Sequence, residues 1–177
     1  DTDSNPVTVS KTMSDGVVSF EGLKVNYTAN TDMVSIALTA TDASGSGVSS
    51  ATSNPIVVQK IPLVTSVTVP SGTYKVGDKL NFDVWFDECV TVDTTAGVPY
   101  MALMLGTNTT IKADYENGSG TTCLRFSYTV AEGDLDTDGI VVGASIIANG
   151  ATLKNGAGVD AILTLNNVES TTAVKVD

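Results

Sequence analysis

Three aspartates lie at alternate positions in the stretch 132-EGDLDTDGI-140, and a glycine follows the last of them: Asp134, Asp136, Asp138 and Gly139. Like charges this close repel one another, so bulk water or a cation must offset the repulsion. The D-x-D-x-D-G spacing equals the first half of an EF-hand loop, in which alternate carboxylates converge on one Ca²⁺ and the glycine permits a sharp turn. The loop is therefore a candidate calcium site.

The other ligands of an EF-hand are not found in this loop. Its twelfth position would be Ser145 instead of glutamate, and the residues around the loop are strand-like, with no flanking helix. A calcium site on a β-hairpin would need oxygen ligands from elsewhere, and Asp87, Glu88 and Asp93 are the candidates. The alternative is a solvated acidic turn whose aspartates accept hydrogen bonds from their own backbone.

Two cysteines, Cys89 and Cys123, lie out of phase with the apolar residues of their predicted strands. The inward sets are Leu80, Phe82, Val84, Phe86, Val90 and Val92 in one strand and Leu124, Phe126, Tyr128 and Val130 in the other. If the strands are neighbours, the cysteines can form a disulfide, which closes a loop of about 35 residues worth roughly 3–4 kcal/mol by loop entropy. The alternative is two free, partly covered thiols.

Four large residues are candidates for an interface. Trp85 shares the outward parity of Cys89, and an outward tryptophan suggests a contact surface, for protein packing in preference to a sugar. Residues 98–106 are apolar on both parities, so a strand there needs cover on both faces. Tyr100, Met101 and Leu103 are thus expected to contact the N-terminal part of the chain or a neighbouring subunit, unless a long loop covers a central strand.

Composition excludes several classes of function. The chain has 177 residues, 20 acidic and 9 basic, and its net charge of −11 disfavours nucleic acid and anionic lipid as partners. It has no histidine, the commonest general base and zinc ligand, and its one arginine, Arg125, offers no phosphate clamp. No apolar run approaches the ~18–20 residues of a membrane span. Abundant Thr, Ser, Val and Gly with little Lys indicate an extracellular, β-rich prokaryotic protein.

Short β-branched runs between Gly, Asn, Asp and Ser clusters predict an all-β fold. Seven runs predict an immunoglobulin-like antiparallel β-sandwich over 62–177: 63–70, 80–92, 98–106, 109–115, 121–130, 140–148 and 161–168. Four more runs lie in the N-terminal part: 6–11, 16–27, 33–42 and 55–60. Four strands are too few for a sandwich, so residues 1–61 are expected to form a partial immunoglobulin-like unit, completed by another segment or subunit.

A family resemblance rests on motifs that occur in order. Residues 66–93, with the turn YKVGD and the strand FDVWFDECVTV, resemble a repeat of giant bacterial surface adhesins and related secreted proteins. The resemblance continues through 101-MALMLG-106, 117-NGSGTTCLRFSYTVAEGDLDTDGI-140 and 149-NGATLKNGAG-158, and 15-DGVVSFEGLKV-25 with 49-SSATSNPIVV-58 resembles the second half of another such repeat. The resemblance implies a spacer or presenter, often calcium-binding and not an enzyme. Cys89, Cys123 and Trp85 depart from the pattern.

The sequence thus predicts a non-enzymatic structural module of a bacterial extracellular surface protein, either an adhesin spacer or a subunit of a filament. Its expected partners are neighbouring immunoglobulin-like domains or copies of itself, and calcium is its candidate cofactor. The alternative is a carbohydrate- or peptide-binding module that uses Trp85 on a host or cell-surface ligand. An enzyme with paired carboxylates ranks last, because no acid–base pair is singled out.

Overall fold

The computed structural model describes residues 33–36, 39–40, 51–52, 54, 56–106 and 109–177, which all lie in the compact unit Thr31–Asp177. These residues form strands and turns without a helix, which confirms the all-β prediction for them. The strands are β1 (Met33–Ile36), β2 (Thr39–Ala40), β3 (Ala51–Thr52), β4 (Ile56–Gln59), β5 (Val64–Thr68), β6 (Gly72–Tyr74), β7 (Lys79–Asp93), β8 (Tyr100–Leu105), β9 (Thr109–Asn117), β10 (Thr121–Thr129), β11 (Val141–Ile147), β12 (Thr152–Lys154) and β13 (Val174–Val176). Across this described part, no helix has the length and apolarity needed to cross a membrane.

The main sheet is curled and antiparallel. Its strand order is β11-β8-β9-β10-β7-β12, and β5 also pairs with β7. The segment 162–168 joins the two sides of this sheet through isolated bridges. Thr164 pairs with Ser145 in β11, whereas Ile162 and Val168 pair with Leu63 and Val67 at β5. The coarse architecture agrees with the sequence, and the immunoglobulin-like topology remains a prediction.

Strand β7 forms the centre of the core because its apolar residues alternate. Its inward-facing residues Leu80, Phe82, Val84, Phe86 and Val90 are all buried, which confirms the predicted parity. They pack with Leu124 and Phe126 of β10, which lie on the buried face predicted for that strand. One residue on the inward parity of β7 is charged: Glu88 is only 7% exposed.

The first and last stretches of residues 62–177 run side by side in the same direction. Strand β13 pairs with β6 in parallel, with Val174 opposite Gly72 and Val176 opposite Tyr74. The bridges of Leu63 to Ile162 and of Val67 to Val168 are also parallel. This arrangement arises from contacts a hundred residues apart, and no local pattern in the sequence predicts it.

Six of the seven predicted strands of this region are observed as β5, β7, β8, β9, β10 and β11. The seventh, 161–168, forms isolated bridges instead of a continuous strand. In the N-terminal part, β1 pairs with β4 and β2 pairs with β3, both antiparallel. The runs 6–11 and 16–27 lie outside the described residues, and the boundary between 61 and 62 stays a prediction.

Candidate functional site

Asp136 is the buried anchor of the acidic loop. Its side chain is 2% exposed, and its two oxygens accept hydrogen bonds from the backbone N–H of Gly106 at 2.7 Å and of Gly139 at 2.6 Å. Its own backbone pairs in both directions with Val176, at 2.9 and 2.8 Å. A carboxylate satisfied by two N–H donors can be buried without a cation. Asp136 therefore fastens the loop to the end of β8 and to the C-terminal strand.

The other two aspartates of the loop face different surroundings. Asp134 Oδ2 accepts the hydroxyl of Tyr128 at 2.6 Å and the N–H of Ala131 at 2.8 Å. Asp138 is exposed and lines a surface cavity of about 120 Å³ together with Asp136. Gly139 has φ +112°, and a Cβ there would lie 2.6 Å from the Cα of Thr172, so glycine is required. The three carboxylates do not converge as an EF-hand loop would place them.

The additional ligands proposed for calcium are engaged elsewhere. Asp87 and Glu88 contact Lys60, and Asp93 accepts both the N–H and the hydroxyl of Thr95, which lowers the pKa of its carboxyl group. Within the residues that the structure describes, no three acidic or cysteine side chains form a group that could hold a metal ion. The observed geometry does not fit the predicted ligand set, and calcium binding stays a prediction.

A polar cluster that sequence reasoning missed lies around Lys60, between β4 and β5. Lys60 Nζ is 3.2 Å from Asp87 Oδ2 and 3.4 Å from Glu88 Oε1, and it donates to the carbonyl oxygen of Asp87 at 3.1 Å. The contact with Glu88 Oε1 is an ion pair without hydrogen-bond geometry. Burial lowers the pKa of the Lys60 amine, but the hydrogen bond to Asp87 and both carboxylate charges outweigh burial and raise it.

Asn155 completes this group, which we call the Lys60–Glu88–Asn155 cluster. Asn155 is 6% exposed, and its Nδ2 donates to Glu88 Oε2 at 3.0 Å and to the carbonyl oxygen of Lys60 at 3.1 Å. Its Oδ1 accepts the N–H groups of Ala157 at 3.0 Å and Val159 at 2.9 Å. The inward parity of Glu88 among apolar residues was the sequence signal that could have indicated the cluster.

The two cysteines are free thiols in the structure, Cys89 exposed and Cys123 half-buried, so the predicted disulfide is absent. They do lie on neighbouring strands, as expected, but not opposite each other. Cys123 pairs with Trp85, and an irregularity in the β7–β10 register separates this pair from Thr121 and Val90. Burial, followed by the charge of Asp83, raises the pKa of the Cys123 thiol. Register, which the sequence did not reveal, determines this outcome.

The predicted interface residues separate into two groups. Met101 and Leu103 are buried in the core at 0% and 1% exposure, which leaves them no surface for a neighbouring subunit, and their contact with the N-terminal part of the chain stays a prediction. Tyr100 is half-buried, with Lys112 Nζ 4.4 Å from its ring centroid. Met104 is the exposed apolar residue of β8, at 41%. The outward face of β8 is therefore only partly covered, which an antiparallel sheet tolerates because one of its faces can be in contact with water.

Trp85 lies on the outer face of the sheet and is 42% exposed. On the same face, Arg125 makes a bidentate ion pair with Asp83, with Nε–Oδ1 at 2.7 Å and Nη2–Oδ2 at 2.8 Å. Such pairs hold a guanidinium plane in a fixed orientation. Trp85 thus has a rigid polar neighbour and is the one predicted interface residue with a large exposed surface.

Comparison of the chain with known protein families, with curated proteins and with solved structures finds no match.

Proposed function

We propose that the chain is a non-enzymatic structural module of a bacterial extracellular surface protein, which acts as an adhesin spacer or as a subunit of a filament. Its partners would be neighbouring domains or copies of itself. The observation that supports the proposal is the parallel alignment of the first and last stretches, 62–74 and 162–177. We call the hydrogen bonds between these two stretches the terminal clamp.

Backbone hydrogen bonds of the terminal clamp are distributed along its whole length. They run from Ile162 N to Pro62 O (2.8 Å), Glu169 N to Val67 O (3.0 Å), Gly72 N to Ala173 O (2.9 Å) and Asp177 N to Tyr74 O (2.9 Å). A parallel pair with bonds along its length resists sliding because every bond must yield for the strands to move. The clamp joins the stretch that begins at residue 62 to the stretch that ends at residue 177.

Side chains reinforce the clamp on its outer side. The amide groups of Asn166 and Asn167 donate to the carbonyl oxygens of Val64 at 3.0 Å and Thr65 at 2.8 Å. Glu169 Oε2 accepts the N–H of Val69 at 3.0 Å. Each bond contributes about 0.5–1.5 kcal/mol net, so the three side chains together add a substantial part of a small domain's stability.

Force applied at the two ends of residues 62–177 loads the clamp in shear. Residue 62 is pulled in one direction and residue 177 in the other, and the parallel strands would have to slide past each other. All clamp bonds then carry load together, whereas peeling breaks them one at a time. Forced unfolding depends on the rate of unfolding, so a shear-loaded clamp raises the force a module withstands without requiring high equilibrium stability. This is the property that a spacer or filament subunit needs.

Single-molecule pulling, with force applied at residues 62 and 177, tests the proposal. The double variant Asn166→Ala/Glu169→Ala removes two clamp hydrogen bonds, and we expect it to unfold at lower force. The matched control Glu116→Ala/Ser119→Ala removes the bonds of Lys79 Nζ to Glu116 (2.7 Å) and of Val92 N to Ser119 Oγ (2.8 Å), which lie outside the clamp. Equal loss of force in both variants would contradict the proposal.

The second candidate function is binding of a carbohydrate or peptide at Trp85. The exposed indole beside the Arg125–Asp83 pair favours it, because sugar rings stack on aromatic faces while polar groups beside them accept and donate hydrogen bonds. Glycan and peptide arrays probed with the wild type and with Trp85→Ala would detect it. A signal lost in Trp85→Ala would support this alternative, and no signal on either array would count against it.

A further inference from the structure

One carboxylate contacts both an amine and an amide in the Lys60–Glu88–Asn155 cluster. Glu88 Oε1 lies 3.4 Å from Lys60 Nζ, and Glu88 Oε2 accepts the amide nitrogen of Asn155 at 3.0 Å. Glu88 is only 7% exposed, and its Oε1 has no hydrogen-bond partner among the described residues. The ion pair with Lys60 is thus what compensates Oε1, which is a costly arrangement for a buried carboxylate oxygen.

The carbonyl oxygen of the same amide has two donors aimed at it. Asn155 Oδ1 accepts the backbone N–H groups of Ala157 and Val159 at 3.0 and 2.9 Å. Two fixed N–H donors on one carbonyl oxygen can act as an oxyanion hole, because they polarise the carbonyl carbon and would stabilise negative charge that develops on the oxygen. The amide nitrogen, meanwhile, donates to the Glu88 carboxylate, which can deliver a proton to it once the carboxylate has itself been protonated.

We propose that Lys60 and Asn155 form a covalent amide bond between their side chains after the chain folds, with Glu88 as the proton-transfer group. The reaction is an intramolecular acyl transfer in which nucleophile, acid–base group and oxyanion hole come from this chain alone. It requires no oxidant or external reactant. The proposal goes beyond the structural role proposed above and does not depend on it.

The proposed step conserves atoms and charge. The Lys60 ammonium gives a proton to Glu88, and the neutral amine attacks Asn155 Cγ, which places negative charge on Oδ1 in its oxyanion hole. Glu88 protonates the departing nitrogen, the old C–N bond breaks, and ammonia leaves. Glu88 then accepts the extra proton from the new amide nitrogen and passes it to the ammonia. Lys60 and Asn155 become one secondary amide, and one ammonium ion is released.

Asp87 determines how readily this reaction begins. It holds the Lys60 amine by its carboxylate at 3.2 Å and by its carbonyl oxygen at 3.1 Å, and both contacts favour the charged amine. Attack needs the neutral amine, so bond formation is slow while Asp87 is in place. We therefore expect Asp87→Ala to form the bond faster than the wild type.

Intact-mass measurement of the folded full chain tests the proposal. After prolonged incubation at neutral pH, the wild type should be lighter by one ammonia, and proteolysis should yield a branched peptide that joins Lys60 to Asn155. The variants Lys60→Arg and Glu88→Gln should keep the full mass. Lys154→Arg is the matched control, because Lys154 adjoins Asn155 but its amine pairs with Asp160 at 2.7 Å, and this variant should still lose ammonia.

Two results would overturn the proposal. One is a wild-type chain of full mass without the branched peptide after incubation. The other is an ammonia loss that persists in Lys60→Arg, since ring closure at the Asn155–Gly156 peptide also releases ammonia and does not need Lys60. Circular dichroism of each variant confirms that it is folded, so a variant that retains full mass is informative. Neither result bears on the terminal clamp, which is tested by force.

Discussion

The hydroxyl of Tyr128 donates a hydrogen bond of 2.6 Å to Asp134 Oδ2. Burial first, and then this hydrogen bond and the charge of Asp134, raise the pKa of Tyr128 to about 12. The folded state therefore binds the phenolic proton more tightly than the unfolded state, whose tyrosines titrate at about pH 10. The stability that this bond contributes is fully present below about pH 10 and is lost as the pH rises toward 12.

Tyr128→Phe tests this linkage. The chain has five tyrosines, and absorbance titration of tyrosinate should show the latest phase disappear in this variant. The fall in unfolding free energy between about pH 10 and 12 should also become shallower. Tyr74→Phe is the control, since the Tyr74 hydroxyl donates to the carbonyl oxygen of Ser71 at 3.3 Å without a carboxylate partner. A late phase that survives in Tyr128→Phe would be contrary to this assignment.

Asp136→Ala should destabilise the protein strongly. It leaves the N–H groups of Gly106 and Gly139 without their acceptor, and a fully buried unsatisfied donor costs about 1–3 kcal/mol. Because both hydrogen bonds are only partly buried, we expect the lower part of the range for two donors, a loss of about 2–4 kcal/mol. Denaturant unfolding measures this loss. The control Asp138→Ala removes an exposed carboxylate of the same loop and should change little. Similar effects from both substitutions would show that Asp136 is not the anchor.

Chelation tests the sequence-based calcium prediction. An ion at a hundredfold excess over its Kd would add about 2.7 kcal/mol to the unfolding free energy. Because both oxygens of Asp136 accept backbone N–H groups and Asp134 binds Tyr128, we expect the unfolding midpoint to be nearly the same in calcium and in chelator. A clear rise in calcium that Asp138→Ala abolishes would mean that the loop rearranges into a site.

The two cysteines should differ in reactivity toward a thiol reagent. Cys89 is exposed and should react first, whereas Cys123 is half-buried and has a raised pKa, so less of its reactive thiolate is present. Cys89→Ser should remove the fast phase and Cys123→Ala the slow one. If the folded, unreduced chain shows no reactive thiol, the predicted disulfide forms after all.

The sequence predicted what depends on local alternation. Parity placed Leu80 and Phe82 in the core and Cys89 and Trp85 outside it, and six strands lie where β-branched runs indicated them. It could not distinguish Asp134 from Asp136, which have the same local pattern. Their different roles come from Tyr128 and Gly106, which only tertiary folding brings to the loop.

Long-range features were missed for the same physical reason. Cys123 lies opposite Trp85, with an irregular register between β7 and β10 beside it. Alternation fixes the face on which each side chain lies, but a shift by two residues keeps every side chain on its face, so alternation does not determine the partner. Strands β6 and β13 have three residues each, too short for a periodic signal, and they exist because they pair with each other. Glu88 was visible on the inward parity, but its partners Lys60 and Asn155 were not.

Directional pulling tests the terminal clamp most directly. In a cysteine-free Lys60→Arg background, where no side-chain link carries load, one handle is placed at Asp177 and the other at Ile61→Cys or at Lys75→Cys. Pulling from residue 61 shears the parallel pair, whereas residue 75 lies beside the end that holds Asp177 and peels it. We predict a clearly higher unfolding force for the 61–177 pair. Equal forces in the two geometries, or a higher force for 75–177, would contradict the load-bearing role.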